Sequence, residues 1–145
     1  MATETASAFE QLYSGRLWSL LSWQQLTDFW SRIDRTAGWY LYAVGEPLPT
    51  TPATAEEVER FIAETDALLH REHHHDYCGI VYADDLASPR IVKIYDPNNL
   101  GSSCGTGKHP HPPGWIMSRE PPVGLERPGP LPESRKRWWR SLFGS

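Results

Sequence analysis

The chain has 145 residues, a formal net charge of −4 and two cysteines. This length fits a single domain that buries about two thirds of its unfolded surface. The mild acidic charge argues against a dedicated nucleic-acid-binding protein, and two cysteines are too few for a disulfide scaffold. The sequence has neither an apolar run of about 18 residues nor the basic and apolar regions of a secretory signal. We therefore expect a cytoplasmic protein with reduced thiols.

Two helix starts are recognisable in the first third of the chain, each with a serine three residues before a glutamate or glutamine. Ser7 precedes Glu10 in a short segment that ends at Gly15. Ser22 precedes Gln25 in a longer segment, where apolar residues recur every three or four positions. That apolar face consists of Trp23, Leu26, Phe29 or Trp30, and Ile33.

The clearest helix begins at Thr54, which forms a third capping pattern with Glu57. One apolar stripe follows at helical spacing, and its members are Val58, Phe61, Ile62, Thr65, Leu68 and Leu69. Glutamates gather near the start of this segment and basic residues near its end, as the helix dipole favours. The pattern predicts a helix that continues into the histidines from His70 onward.

Three strands and one possible strand are predicted from β-branched and aromatic runs. Residues 39–44 read as a strand covered on both faces, and residues 76–83 and 90–95 read as an antiparallel hairpin. Residues 115–118 form a possible further short strand. The predicted fold class is α+β: one mainly antiparallel sheet packed by two or three helices, in the order α-α-β-α-β-β.

The C-terminal part of the chain has a different composition, with eight prolines between residues 110 and 132. We expect a compact domain over residues 1–122, a Pro- and Gly-rich linker over 123–134 and a basic, aromatic tail over 135–145. Four basic residues against Glu133 give residues 133–145 a net charge of +3, which leaves −7 for the rest of the chain. A basic tail on an acidic body suggests a separate binding task.

Histidine and cysteine side chains in residues 70–111 suggest a metal site. His70 and His74 would share one face of a continuing helix, a spacing that suits zinc or another transition metal. Cys104, His109 and His111 could supply further ligands from the loop after the hairpin. No known zinc motif matches these spacings, so an alternative interpretation is a polar, cationic helix end.

The loop residues Cys104 and His109 are also the candidates for catalysis. A cysteine between glycines is accessible, and a nearby histidine could lower the pKa of its thiol. A nucleophile additionally needs a positioned base and an oxyanion site, and no family signature surrounds these residues. A turn without catalytic function is the competing interpretation.

The tail could form an amphipathic helix with tryptophans on one face and basic residues mostly elsewhere. Such a segment suits an acidic groove on a protein partner or an anionic membrane surface, and it could equally dock on its own acidic body. A separate tail would be dispensable for stability, so truncation after Pro132 should leave the melting temperature nearly unchanged. The candidate binding residues are Arg135, Lys136, Arg137, Trp138, Trp139, Arg140, Leu142 and Phe143.

Three functions follow from these observations. The first is a small accessory protein that binds a protein partner, for example in the assembly or regulation of a larger enzyme; the tail would add affinity as a second contact. The second is a metal-binding protein, either a metal carrier or a domain with a structural zinc site. The third is a small enzyme that depends on Cys104 or on a histidine.

Overall fold

The structure, a computed structural model, describes residues 7–99, 112–127 and 129–143. Within these ranges it contains four α-helices and a five-stranded sheet in which all neighbouring strands are antiparallel. This confirms the predicted α+β class and the antiparallel sheet. Among the described residues, no helix combines the length and apolar character needed to cross a membrane.

The first three helices begin where the capping patterns predict. Ser7 and Thr54 accept hydrogen bonds from the backbone N–H groups of Glu10 and Glu57, whose carboxylates accept the serine and threonine N–H in return. Ser22 caps its helix through a single bond from the next turn. Each arrangement satisfies N–H groups that a helix start leaves unpaired. The helices are α1 (Ala8–Tyr13), α2 (Trp23–Arg32) and α3 (Ala55–Glu72).

The sheet has the strand order β1-β3-β4-β5-β2. Its central pair is the predicted hairpin, and the possible strand at residues 115–118 is present as β5, between β4 and β2. The sequence analysis did not predict β1, which has only two residues. The strands are β1 (Trp18–Ser19), β2 (Tyr40–Ala43), β3 (Val81–Ala83), β4 (Ile91–Ile94) and β5 (Trp115–Ser118).

Strand β3 is shorter than the predicted segment 76–83 because of Gly79. This glycine has φ +71°, a left-handed backbone conformation that interrupts an extended strand. The regular ladder therefore begins only at Val81, which pairs with Ile94. Cys78 lies before the strand, yet its side chain is fully buried in the core.

Both faces of the sheet are covered. Apolar side chains from α2, α3 and a fourth helix, α4 (Glu133–Phe143), pack on one face against Leu41, Val92 and Met117. On the other face, Phe9 of α1 packs against Tyr42 and Ile116. Strand β2 is therefore buried on both sides, as its aromatic and apolar sequence predicts.

The C-terminal segment forms α4 (Glu133–Phe143), which packs against α3. Leu142 is 1% exposed and belongs to the same core cluster as the stripe of α3. Trp138 lies beside Trp115 of β5, and Trp139 meets Phe61 of α3 edge-on. The sequence left open a partner protein, a membrane surface and the protein's own body as locations for the tail, and in the structure the tail packs on the protein's own body.

Candidate functional site

The ends of four strands and of helix α3 meet at one end of the sheet, which we call the loop end. Val81 pairs with Ile94, Ile94 with Trp115, and Trp115 with Ala43. The start of β3, the end of β4, the start of β5 and the end of β2 therefore lie side by side. The end of α3 contacts the 3₁₀ turn Pro97–Asn99 there. Segments distant in sequence are thus brought together at the loop end.

The centre of the loop end is a buried ion-pair network around Arg135 of α4. Its guanidinium donates to Asp96 at 2.8 and 2.9 Å and to Glu72 at 2.7 and 3.3 Å. The side chains of Arg135 and Asp96 are only 7% and 14% exposed. Asp96 directly precedes the 3₁₀ turn and also accepts a bond from the N–H of Asn98 within that turn. The network ties the end of α3, the exit of β4 and the start of α4 to one another.

The electrostatics of this network favour a structural role. Hydrogen bonding to Arg135 lowers the pKa of Glu72, while Asp96 and Glu72 together raise the pKa of Arg135, Asp96 most strongly. A carboxylate held in its ionised form by a fixed guanidinium is a poor general acid or base near neutral pH. The network therefore anchors α4 rather than supplying a proton-transfer group.

The histidines predicted as metal ligands are not placed on one helix face. Helix α3 includes His70 but ends at Glu72, two residues before His74, so the continuous helix that would place both histidines on one face does not form. The ring of His70 packs on Trp23 at 4.2 Å between centroids, whereas His74 is exposed. Cys104, His109 and His111 lie outside the described residues. Among the residues that are described, no three His, Cys, Asp or Glu side chains are grouped as metal ligands would be.

His73 is a buried histidine that the sequence analysis did not single out. It is 5% exposed, and its Nε2 donates to the carbonyl oxygen of Cys78 at 2.8 Å. Burial lowers the pKa of His73 and raises the pKa of the Cys78 thiol. A signal was present in the sequence, because His73 follows Leu69 by four residues and so extends the buried stripe of α3.

The residues predicted for partner or membrane binding divide into three groups on α4. Arg135 and Leu142 are buried; Lys136, Trp138, Trp139 and Phe143 are half-buried; Arg137 and Arg140 are exposed. Much of the apolar surface that an isolated amphipathic helix would insert into a membrane is thus packed on the core. Two aromatic residues of α4 still reach a surface cavity.

This cavity, which we call the β2-edge pocket, has a volume of about 220 Å³. It lies between the outer edge of β2, the loop that follows β2, and α4. The residues that line it are Leu41, Pro47, Pro49, Thr51, Pro52, Ala53, Glu57, Trp139 and Phe143. The rings of Trp139 and Phe143 meet at 4.8 Å in an edge-on arrangement, so one wall is aromatic and the other is largely proline.

A main-chain donor and acceptor of β2 are open beside this pocket. Val44 donates to Gly114 on the β5 side, and alternation along the strand turns the N–H and C=O of Leu41 to the outer side. No described residue outside the sheet bonds to Leu41. Leu41 is only 6% exposed, and buried main-chain groups almost always have a partner, either a protein group or an ordered water.

Three prolines limit the hydrogen bonds that the loop after β2 can donate to the outer edge of that strand. The loop is tied at both ends, by Ala53 N–H to the carbonyl of Trp39 and by Glu46 N–H to the carbonyl of Ala43. Between these ties, Pro47, Pro49 and Pro52 have no N–H to donate to the strand. At the opposite edge of the sheet, the N–H of Leu21, just after β1, donates to the side-chain oxygen of Gln25.

A broader depression of about 650 Å³ runs along the outer face of α3. Five of its seven lining residues are charged, including Arg35 and Glu59, which form an ion pair at 2.8 Å. It has no aromatic residue in its lining, whereas the β2-edge pocket is lined by two aromatic residues and three prolines, and aromatic lining is typical of ligand sites. We therefore assign the candidate site to the β2-edge pocket.

Comparisons of the chain with protein-family models, with curated proteins and with solved structures found no match. The function therefore has to be argued from the site itself. Sequence reasoning named Trp139 and Phe143 as candidate binding residues but did not single out Leu41 or the proline wall. Residues 41 and 139 are almost a hundred positions apart, and no local pattern predicts that they meet.

Proposed function

We propose that this protein is a small accessory protein that binds a protein partner through the β2-edge pocket. The observation that carries the proposal is the open N–H and C=O of Leu41 beside an aromatic and proline-lined cavity. Leu48, in the same loop, is 40% exposed and extends the apolar surface. Aromatic side chains that pack into pockets are typical anchors at interfaces between proteins.

The size and chemistry of the pocket favour a protein partner over a small-molecule substrate. Its volume of about 220 Å³ is below the roughly 300–1,000 Å³ of most cofactor and substrate sites. Glu57 is the only ionisable side chain in its described lining, and its carboxylate is engaged by the Thr54 cap. A membrane surface is disfavoured because Leu142, which would have to insert, is 1% exposed.

The test is co-purification from the native host with the intact chain and with a variant in which Thr51→Trp fills the pocket. Thr51 is an exposed residue on the pocket rim, so the larger side chain can be added without disturbing the core. Thr50→Trp is the matched control, because Thr50 is equally exposed but does not line the cavity.

The expected result is a partner that is recovered with the intact chain and with Thr50→Trp but is lost with Thr51→Trp. Equal recovery with all three chains would rule out the β2-edge pocket as the binding site. Circular dichroism and melting of each variant verify that recovery is compared between folded proteins.

A further inference from the structure

We propose that the partner contributes a short extended apolar segment, flanked by acidic residues, which pairs with the main chain of Leu41. This inference rests on the proposed function and specifies the chemistry of the partner. Binding of this kind takes affinity from main-chain hydrogen bonds at a sheet edge and specificity from a pocket for a side chain.

The extended conformation follows from the open groups on β2. The N–H and C=O of one strand residue point the same way, so Leu41 offers one donor and one acceptor at a fixed spacing. A residue in a β conformation presents the matching acceptor and donor, whereas a helical segment uses these groups internally. The loop is tied at both Trp39 and Ala43, which limits the pairing to one or two residues.

The apolar side chain follows from the walls of the pocket. An extended residue paired with Leu41 would place its side chain toward Trp139 and Phe143 on one side of the sheet. The cavity of about 220 Å³ can hold one large apolar side chain, and the burial of such a side chain favours binding.

The acidic flank follows from the position of Arg140. Successive residues of a helix are about 100° apart, so Lys136 and Arg140 lie on the side of α4 next to Phe143 and Trp139, and Arg137 lies farther round. Lys136 is partly neutralised by Glu133 at 3.5 Å. Arg140 is exposed and has no carboxylate partner among the described residues, so it is available to an acidic group on the partner.

The charge of Glu57 on the opposite wall does not reverse this preference. Its carboxylate accepts the N–H of Thr54 at 2.9 Å and lies in the first turn of α3, where the helix dipole stabilises negative charge. An acidic flank of the partner would therefore lie on the Arg140 side of the pocket, away from Glu57.

The experiment uses the full-length, ¹⁵N-labelled protein and blocked pentapeptides Asp-Asp-X-Ala-Ala, in which X is Leu, Ile, Phe or Trp. Binding is followed by the amide resonances of Leu41 and Ala43 at peptide concentrations up to about 1 mM. We expect at least one peptide to shift these resonances. N-methylation of X, which removes its N–H, should weaken binding at least about tenfold.

Charge is tested with matched variants on α4. Arg140→Gln should weaken binding of the acidic peptide about two- to fivefold, and Arg137→Gln should leave it unchanged. Replacement of the two aspartates of the peptide by lysines should weaken binding to the intact chain by a similar factor or more.

Two results would overturn the inference while leaving the proposed function intact. The first is peptide binding that Phe143→Ala weakens but that N-methylation of X does not change. The second is that no peptide shifts the amide resonance of Leu41, although Thr51→Trp still abolishes recovery of the partner. If Thr51→Trp does not affect partner recovery, the proposed function fails together with the inference.

Discussion

Lys93 is a buried lysine on the central strand β4, with only 8% of its surface exposed. Its Nζ lies 3.6 Å from the centre of the Tyr13 ring, and no carboxylate among the described residues pairs with it. Burial lowers the pKa of Lys93 from 10.5 to about 8. The ammonium form is thus costly in the folded protein and is partly stabilised by the face of the tyrosine ring.

We expect Lys93→Met to stabilise the protein at neutral pH. A lowered pKa means that the folded state binds fewer protons than the unfolded state between pH 8 and 10.5, so the free energy of unfolding of the native protein rises over that interval. The cost of the charge is therefore fully present at pH 7. After the loss of the contact with Tyr13, the gain should be about 1–2 kcal/mol.

Urea unfolding of both proteins at pH 7 and at pH 10 measures this difference. The advantage of Lys93→Met should shrink at pH 10, where most of the native lysine is neutral in the folded state. Lys136→Met serves as the control and should not show this pH-dependent gain, because Lys136 is only half-buried and pairs with Glu133. An equal stability difference at both pH values for Lys93→Met would contradict the explanation.

Arg135 provides the second test at the scale of one residue. Arg135→Leu leaves Glu72 and Asp96 partly buried without their common partner, and breaking a buried ion pair in this way typically costs about 3–5 kcal/mol. Arg137 is two residues after Arg135 but is exposed. Arg137→Leu should therefore lower the free energy of unfolding by less than about 0.5 kcal/mol. Thermal melts of the two variants make the comparison.

The pH dependence of Arg135→Leu has a defined sign. Arg135 lowers the pKa of Glu72 in the folded state, so the stabilisation is fully present above the unfolded value of about 4.3 and is lost as the pH falls through the lower, folded value. The native protein should therefore lose more stability than Arg135→Leu between pH 6 and pH 3. Parallel losses would show that Glu72 and Arg135 are not coupled.

At the scale of secondary-structure elements, α4 is the part whose role changes most between sequence and structure. Truncation after Pro132 was expected to leave the melting temperature nearly unchanged. The structure reverses this expectation, because α4 contributes Leu142 to the core and Arg135 to a buried network. We now expect the truncated chain to lose more than about 10 °C in melting temperature or to remain unfolded.

The double substitution Arg137→Ala and Arg140→Ala is the control for this truncation. It removes exposed charge from α4 but leaves the buried residues in place, so the melting temperature should change little. An unchanged melting temperature for the truncated chain would mean that α4 contributes nothing to the stability of the body in solution.

Local patterns were enough to predict most of the elements. The capping pairs located the starts of α1, α2 and α3, and the apolar stripe of α3 is buried at every predicted position. Strand β1 was missed because two residues are too few to show an alternating pattern. The helix end at Glu72 was misjudged because basic residues near a helix C-terminus favour its stability without fixing where it stops.

The candidate site was predictable only in part, for a physical reason. Tryptophans and a phenylalanine on one face of a basic segment indicate binding, so Trp139 and Phe143 could be found from the sequence. Leu41 is an ordinary core residue by type, and its importance lies in its main chain, which carries no sequence signal. The site also depends on a strand order that puts β2 at the edge of the sheet, and this order is set by long-range packing.

At the scale of the whole molecule, the contacts of α4 predict that body and tail unfold as one cooperative unit. Arg135 links α4 to the end of α3 and to the exit of β4, and Trp138 packs on β5. An element held by such contacts opens only when the surrounding core opens. This prediction opposes the division into a domain at 1–122, a linker at 123–134 and a tail at 135–145.

Native-state hydrogen exchange distinguishes the two descriptions. We expect the amides in the middle of α4, such as that of Trp139, to exchange with nearly the same opening free energy as that of Val92 in β4, because both require global unfolding. In Arg135→Leu the α4 amides should exchange at a lower free energy than Val92, since the tie to the loop end is lost. If the α4 amides of the native protein exchange with an opening free energy well below that of global unfolding, the tail is an independent element. The pocket wall formed by Trp139 and Phe143 would then be present only part of the time.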